Sequence, residues 1–173
     1  MPEQTQPTSR IIDQNAAAAQ ELPFASTVDQ DDADRGFIAA LEPGIVTDAS
    51  GKTVWDNDSY SFLHDSCPAS VHPSLWRQCG LNIRQGLYLV TEGIYQVRGL
   101  DISNMTIVEG ERGVIVIDPL VSAETAAAAL ALYRSHRGDR PVTGLIYTHS
   151  HADHFGGALG VVSIEDVAAG RCP

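Results

Sequence analysis

The densest chemistry in the chain lies in six residues, His149-Ser150-His151-Ala152-Asp153-His154, which hold three imidazoles and a carboxylate. These are the side chains that bind zinc, imidazole through a ring nitrogen and aspartate through an oxygen. His149 and His151 are two residues apart, so in extended chain both rings leave the same side of the backbone and can converge on one ion. Asp153 and His154 are adjacent and diverge from each other, which suits a second ion beside the first. Gly156 and Gly157 follow; without a Cβ they let the backbone turn tightly there and enter a helix. A lone histidine is ordinarily solvated or hydrogen-bonded, but this density at one point of the chain reads as a metal site.

The surrounding pattern says how such a cluster is held. Residues 142–147 form an apolar run that reads as a buried strand, so the ligands follow a strand end. A second apolar strand is expected over residues 114–117, and between the two Ser122 caps a helix over 123–135 that Gly138 closes. Strand, helix and strand with short connections make a βαβ unit, so the two strands are parallel and end on one sheet edge. Asp118 ends the first strand as His149 begins the loop after the second. A carboxylate there can accept the N–H of a metal-bound histidine and fix its tautomer; the alternative is that Asp118-Pro119 caps the following helix.

Upstream, residues 87–90 and 95–97 read as paired strands around Glu92-Gly93, and 103–109 as the next strand. Ser9 is expected to cap a helix reaching Glu21. The acids Asp29, Asp31, Asp32 and Asp34 suit the start of a second helix, which carries Phe37, Ile38 and Leu41 and stops at Pro43-Gly44. Residues 45–47 and 53–55 make a hairpin, residues 58–63 a short helical or irregular piece, and Ser74 caps a helix over 75–83.

Hydrophobic content of 43% and charged content of 19% describe an ordinary globular chain. A net charge of −11 with no basic patch argues against nucleic-acid binding. The three cysteines, Cys67, Cys79 and Cys172, cannot all pair among themselves and read as reduced. The N-terminus has neither a basic start nor an apolar stretch, so no secretory signal is visible, and no run approaches the ~20 apolar residues of a membrane span. A cytoplasmic location is the default expectation; a periplasmic one requires a missing leader.

The H-x-H-x-D-H spacing resembles the metallo-β-lactamase superfamily. Residues 82–110, including Asp101-Ile102-Ser103-Asn104-Met105, and the run Val116-Ile117-Asp118-Pro119-Leu120 are similar to the alkylsulfatase branch of that superfamily, as are residues 57–62, 73–78 and 122–136. The resemblance implies an α/β fold, an αββα sandwich of which this chain supplies the N-terminal half. It implies residues 1–30 as a flexible arm with a helix, 31–86 as a family-specific wrap, and 87–173 as the first half of the metal domain, truncated. It further implies two zinc ions per intact site, the first on His149 and His151 and the second on Asp153 and His154. Asp153 additionally orients the nucleophilic water, and Asp118 supports a ligand from behind. The implied reaction is hydrolysis of an alkyl sulfate to an alcohol and inorganic sulfate, by a homodimer in the intact enzyme. The chain is short for that family, so it is expected to be a piece or a truncated product, inactive by itself. Competing expectations are another hydrolase of the superfamily, acting on a lactam, thioester or phosphodiester, and a non-catalytic remnant.

Overall fold

The computed structural model describes residues 6–172. Its centre is a six-stranded sheet in the order β1 (Phe37–Ala39), β4 (Gly86–Thr91), β5 (Ile94–Arg98), β6 (Met105–Glu109), β7 (Val114–Ile117) and β8 (Val142–Ile146). The first four pairings are antiparallel and only β7 with β8 is parallel. That is the connection expected from strand, helix and strand, and the helix α4 (Ala123–Arg137) crosses between them. Ser122 accepts from Thr125 N–H at its N-terminus and Gly138 ends it. A separate hairpin pairs β2 (Ile45–Thr47) with β3 (Thr53–Asp56).

The sheet buries one face under α4. Leu87, Val97, Met105, Ile107, Val114 and Val116 point into a core shared with Ala126, Ala129, Leu130 and Tyr133. Alternation along β7 puts Ile115 on the other face, where it and Ile146 of β8 are 38% and 48% exposed. The run 114–117 is therefore buried on one side only, which its uniformly apolar sequence does not reveal.

The N-terminal segment differs from expectation in two ways. The helix α1 (Ser9–Glu21) is capped by Thr8, whose hydroxyl accepts from Ile11 N–H, rather than by Ser9. The second helix, α2 (Val28–Asp34), stops early. Gly36 at φ 75° breaks it, and Phe37 and Ala39 pair with β4 as the edge strand. An unpaired edge on β4 and the β-prone Phe37 and Ile38 outweigh the helical spacing of Phe37, Ile38 and Leu41. The helix α3 (Pro73–Asn82) is likewise capped earlier than expected, two residues before Ser74, by His72 Nδ1 accepting from Ser74 N–H. The arm expected over residues 1–30 falls partly outside the described residues, since Met1 to Thr5 are not among them.

A partly buried ionic cluster pins α4 to β6. Tyr133 OH donates to Glu109 Oε1 at 2.8 Å, Arg137 donates to the same carboxylate through Nε at 3.1 Å, and Arg140 Nη1 lies 3.4 Å from Oε2. Burial, reinforced by Glu109, pushes the Tyr133 phenol up to about 12. Because ionisation is harder in the fold than in the unfolded chain, this stabilisation is complete below about pH 10 and is lost as pH rises toward about 12. At 1.36 kcal/mol per unit it amounts to on the order of 2–3 kcal/mol. Denaturant unfolding followed from about pH 8 to about pH 12 is expected to show the wild type losing that much more stability than Tyr133→Phe, whose side chain cannot ionise.

Candidate metal centre

The loop after β8 carries the cluster, and the turn after β7 braces it from behind. Asp118 and Leu120 both take left-handed backbone conformations, φ 56° and 65°, on either side of Pro119. Such conformations are strained for residues with a side chain and occur where surrounding bonds over-determine them. Here those bonds are visible. Asp118 N–H donates to Ile146 O at 2.9 Å, Leu120 N–H donates to Asp118 O at 2.9 Å, and Gly157 N–H donates to Leu120 O at 3.0 Å. The turn is thus stitched to β8 at one end and to the cluster loop at the other.

Asp118 spends its carboxylate on the cluster and caps no helix. Its Oδ1 accepts from Thr148 N–H at 2.7 Å, and its Oδ2 accepts from the Thr148 hydroxyl at 2.6 Å. His154 Nδ1 lies 2.9 Å from the same Oδ2. Burial works to raise the Asp118 carboxyl, but the hydrogen bonds from Thr148 and His154 outweigh it and hold it below the usual carboxylate range. It is therefore ionised at neutral pH, and its two oxygens serve only as acceptors.

The four candidate ligands fall into two pairs. His149 Nε2 and His151 Nδ1 converge to 3.0 Å. His154 Nε2 and Asp153 Oδ2 approach to 3.4 Å. The second pair departs from expectation: Asp153 and His154 lie in a 3-10 turn, Ala152–His154, so neighbouring side chains turn toward a common point instead of diverging. The two pairs adjoin, with the His149 and His154 rings 4.0 Å apart between centroids. Among the described residues no group of three or more His, Cys, Asp or Glu side chains gathers as a complete ligand set. The donor types fit a borderline cation such as zinc, and each pair would supply two ligands where catalytic zinc sites use about three from protein.

The glycines behind the cluster are there for closeness. A Cβ on Gly156 would overlap Val121 O, and one on Gly157 would overlap Pro119 O and crowd Ser122 O. Two further residues hold the arrangement together, Thr148, which bonds Asp118 twice, and Asp101. The latter is 5% exposed and accepts from Val121 N–H at 2.9 Å and Thr125 hydroxyl at 2.8 Å, tying the β5–β6 connection to the start of α4. A hydroxyl residue directly between a strand end and the first histidine was the available signal for Thr148. Of the remaining histidines, His72 caps α3 and His136 bonds Leu132 O at the end of α4. Tyr147 and Phe155 pack on each other, ring centroids 6.1 Å apart.

Comparison with known proteins agrees with this architecture. Residues 98–173 match the family model described as the metallo-beta-lactamase superfamily. The chain is 49% identical to an alkyl/aryl-sulfatase of Saccharomyces cerevisiae over 158 residues, 91% of this chain and 24% of that protein. It is 50% identical to a linear primary-alkylsulfatase of Pseudomonas sp. over 159 residues, with the same shares covered. It superimposes with a TM-score of 0.91, at 46% identity, on the stereoselective inverting sec-alkylsulfatase Pisa1 from Pseudomonas sp., covering 98% of this chain and 27% of that one. The chain thus spans about a quarter of the length of the relatives it matches. Gly157→Ala is expected to destabilise the fold by about 1–3 kcal/mol in urea unfolding, because the new methyl meets two backbone carbonyls that cannot move without opening the strained turn.

Proposed function

This chain belongs to the alkylsulfatase branch of the metallo-β-lactamase superfamily, and we propose that it carries the first metal-binding loop of an enzyme that hydrolyses alkyl sulfate esters. The observation that supports the reading most is the convergence of His149 with His151 and of Asp153 with His154 at one sheet edge, in a chain about half identical to alkylsulfatases. The reaction takes an alkyl sulfate and water to an alcohol and hydrogen sulfate, which loses its proton at neutral pH.

His149 Nε2 and His151 Nδ1 would hold one zinc ion, and Asp153 and His154 Nε2 the other, with the remaining ligands contributed from outside these four residues. Zinc bound there would supply Lewis-acid charge that favours ionisation of a water and offsets the negative charge of a sulfate group. The residues of the chain do the positioning. Asp118 fixes the His154 ring through Nδ1 and leaves Nε2 free. Asp153, with one oxygen on the His154 side, keeps a second oxygen with which to orient water. The surrounding acidity of the chain, net −11, does not itself attract a sulfate ester, so recognition of the anion falls to the cations of the site. No helix among the described residues is long and apolar enough to cross a membrane. The homodimer implied by the family belongs to the same proposal.

The test uses the full-length protein loaded with zinc. Inorganic sulfate released from octyl and dodecyl sulfate is measured by ion chromatography, with zinc quantified by elemental analysis. Release of sulfate is expected, with zinc content and rate both reduced in His151→Ala because no neighbouring side chain replaces that imidazole. No release from the zinc-loaded protein, or unchanged zinc in His151→Ala, would contradict the assignment.

A further inference from the structure

The two bonds from Thr148 to Asp118 leave the threonine hydroxyl with a second neighbour. Its Oγ1 lies 2.6 Å from Asp118 Oδ2 and 2.9 Å from His149 Nδ1. A hydroxyl has one proton to give and lone pairs to accept with, whereas an ionised carboxylate only accepts. The single Thr148 proton therefore points to Asp118, at a distance typical of a hydroxyl on a carboxylate. What faces His149 is an oxygen lone pair, and the ring meets it favourably only with a proton on Nδ1.

We propose that Thr148 is a positioning residue that relays the hold of Asp118 to His149, fixing the Nδ1–H tautomer and leaving Nε2 as a free lone pair. One carboxylate then sets two rings. It sets His154 directly, Nδ1 to Oδ2 at 2.9 Å, and His149 through the Thr148 hydroxyl. In each case the nitrogen left free is the one that faces a partner of its pair: His149 Nε2 toward His151 Nδ1 at 3.0 Å, and His154 Nε2 toward Asp153 Oδ2 at 3.4 Å. The relay is rigid because Thr148 is held at two points, its backbone N–H on Oδ1 and its hydroxyl on Oδ2. Packing alone does not demand a hydroxyl there, since a valine would keep the shape and the N–H bond. The assignment of zinc to these nitrogens rests on the function proposed above; the tautomer of His149 does not.

The experiment records the imidazole nitrogens of the metal-free protein by long-range nitrogen–proton NMR at about pH 8, above the ordinary range of histidine, for wild type, Thr148→Val and Thr148→Ser. His149 is expected as the Nδ1–H tautomer in wild type and T148S, and as a mixture containing the Nε2–H form in T148V. His154 is expected to keep Nδ1–H in all three, because its bond to Asp118 bypasses Thr148. Zinc affinity is expected to fall about tenfold to a hundredfold in T148V and to return in T148S, as for groups that orient a ligand from behind. An Nε2–H tautomer at His149 in the wild type overturns the proposal whatever the variants do, and so does an unaltered Nδ1–H tautomer in T148V. Expected tautomers with no zinc bound by the wild type would support the relay while removing the hydrolase reading.

Discussion

The Asp118 carboxylate is the constraint on which this chain turns. A single group at the end of β7 accepts three hydrogen bonds, two from Thr148 and one from His154, and both partners lie in or next to the loop that follows a different strand. Without that carboxylate nothing among these contacts fixes the His154 ring or the first residue of the loop. Placing it there costs two left-handed residues flanking a proline, of order 1–3 kcal/mol each. The cost is met by backbone bonds from the turn to β8 and to Gly157, and by the core beneath, where Leu120 is fully buried.

The rest of the fold explains why the two strand ends stay in register. β7 and β8 are parallel neighbours with Ile117 opposite Ile146, so the residues that follow them start side by side. α4 makes that pairing obligatory. It is anchored at its start by Ser122 and by Asp101 through Thr125, and near its end by the Glu109 cluster. Gly156 and Gly157 then let the cluster loop lie directly on the turn, closer than any side chain would allow. Strain in the turn, closeness of the glycines and alignment of the rings are parts of one arrangement, so perturbing any of them moves the others.

Much of this was legible in the residues. The βαβ unit, its parallel pairing, the helix caps at Ser122 and Gly138, and the delivery of His149 and His151 from a strand end follow from apolar runs and punctuation that the structure obeys. The misreadings have physical causes. Phe37 to Ala39 was expected as helix because its spacing fits one, and only the free edge of β4, distant in sequence, makes it a strand. Asp153 and His154 were expected to diverge because adjacent residues do so in extended chain, but a 3-10 turn rotates them together. Thr148 carried no signal beyond its type, since its role depends on an aspartate thirty residues away. The left-handed turn at Asp118 and Leu120 was equally invisible, because leucine does not favour it and aspartate, though it tolerates it better than most residues, more often sits at negative φ.

Two zinc ions on His149 with His151 and on Asp153 with His154 are the proposal that the Asp118 contacts to Thr148 and His154 support. Anomalous difference maps from crystals of the full-length protein, collected just above and just below the zinc absorption edge, test it most directly. Two peaks are expected, one at His149 Nε2 and His151 Nδ1 and the other at Asp153 and His154 Nε2, with His154 Nδ1 still on Asp118. Zinc bound elsewhere, or coordinated by His149 through Nδ1, would contradict it.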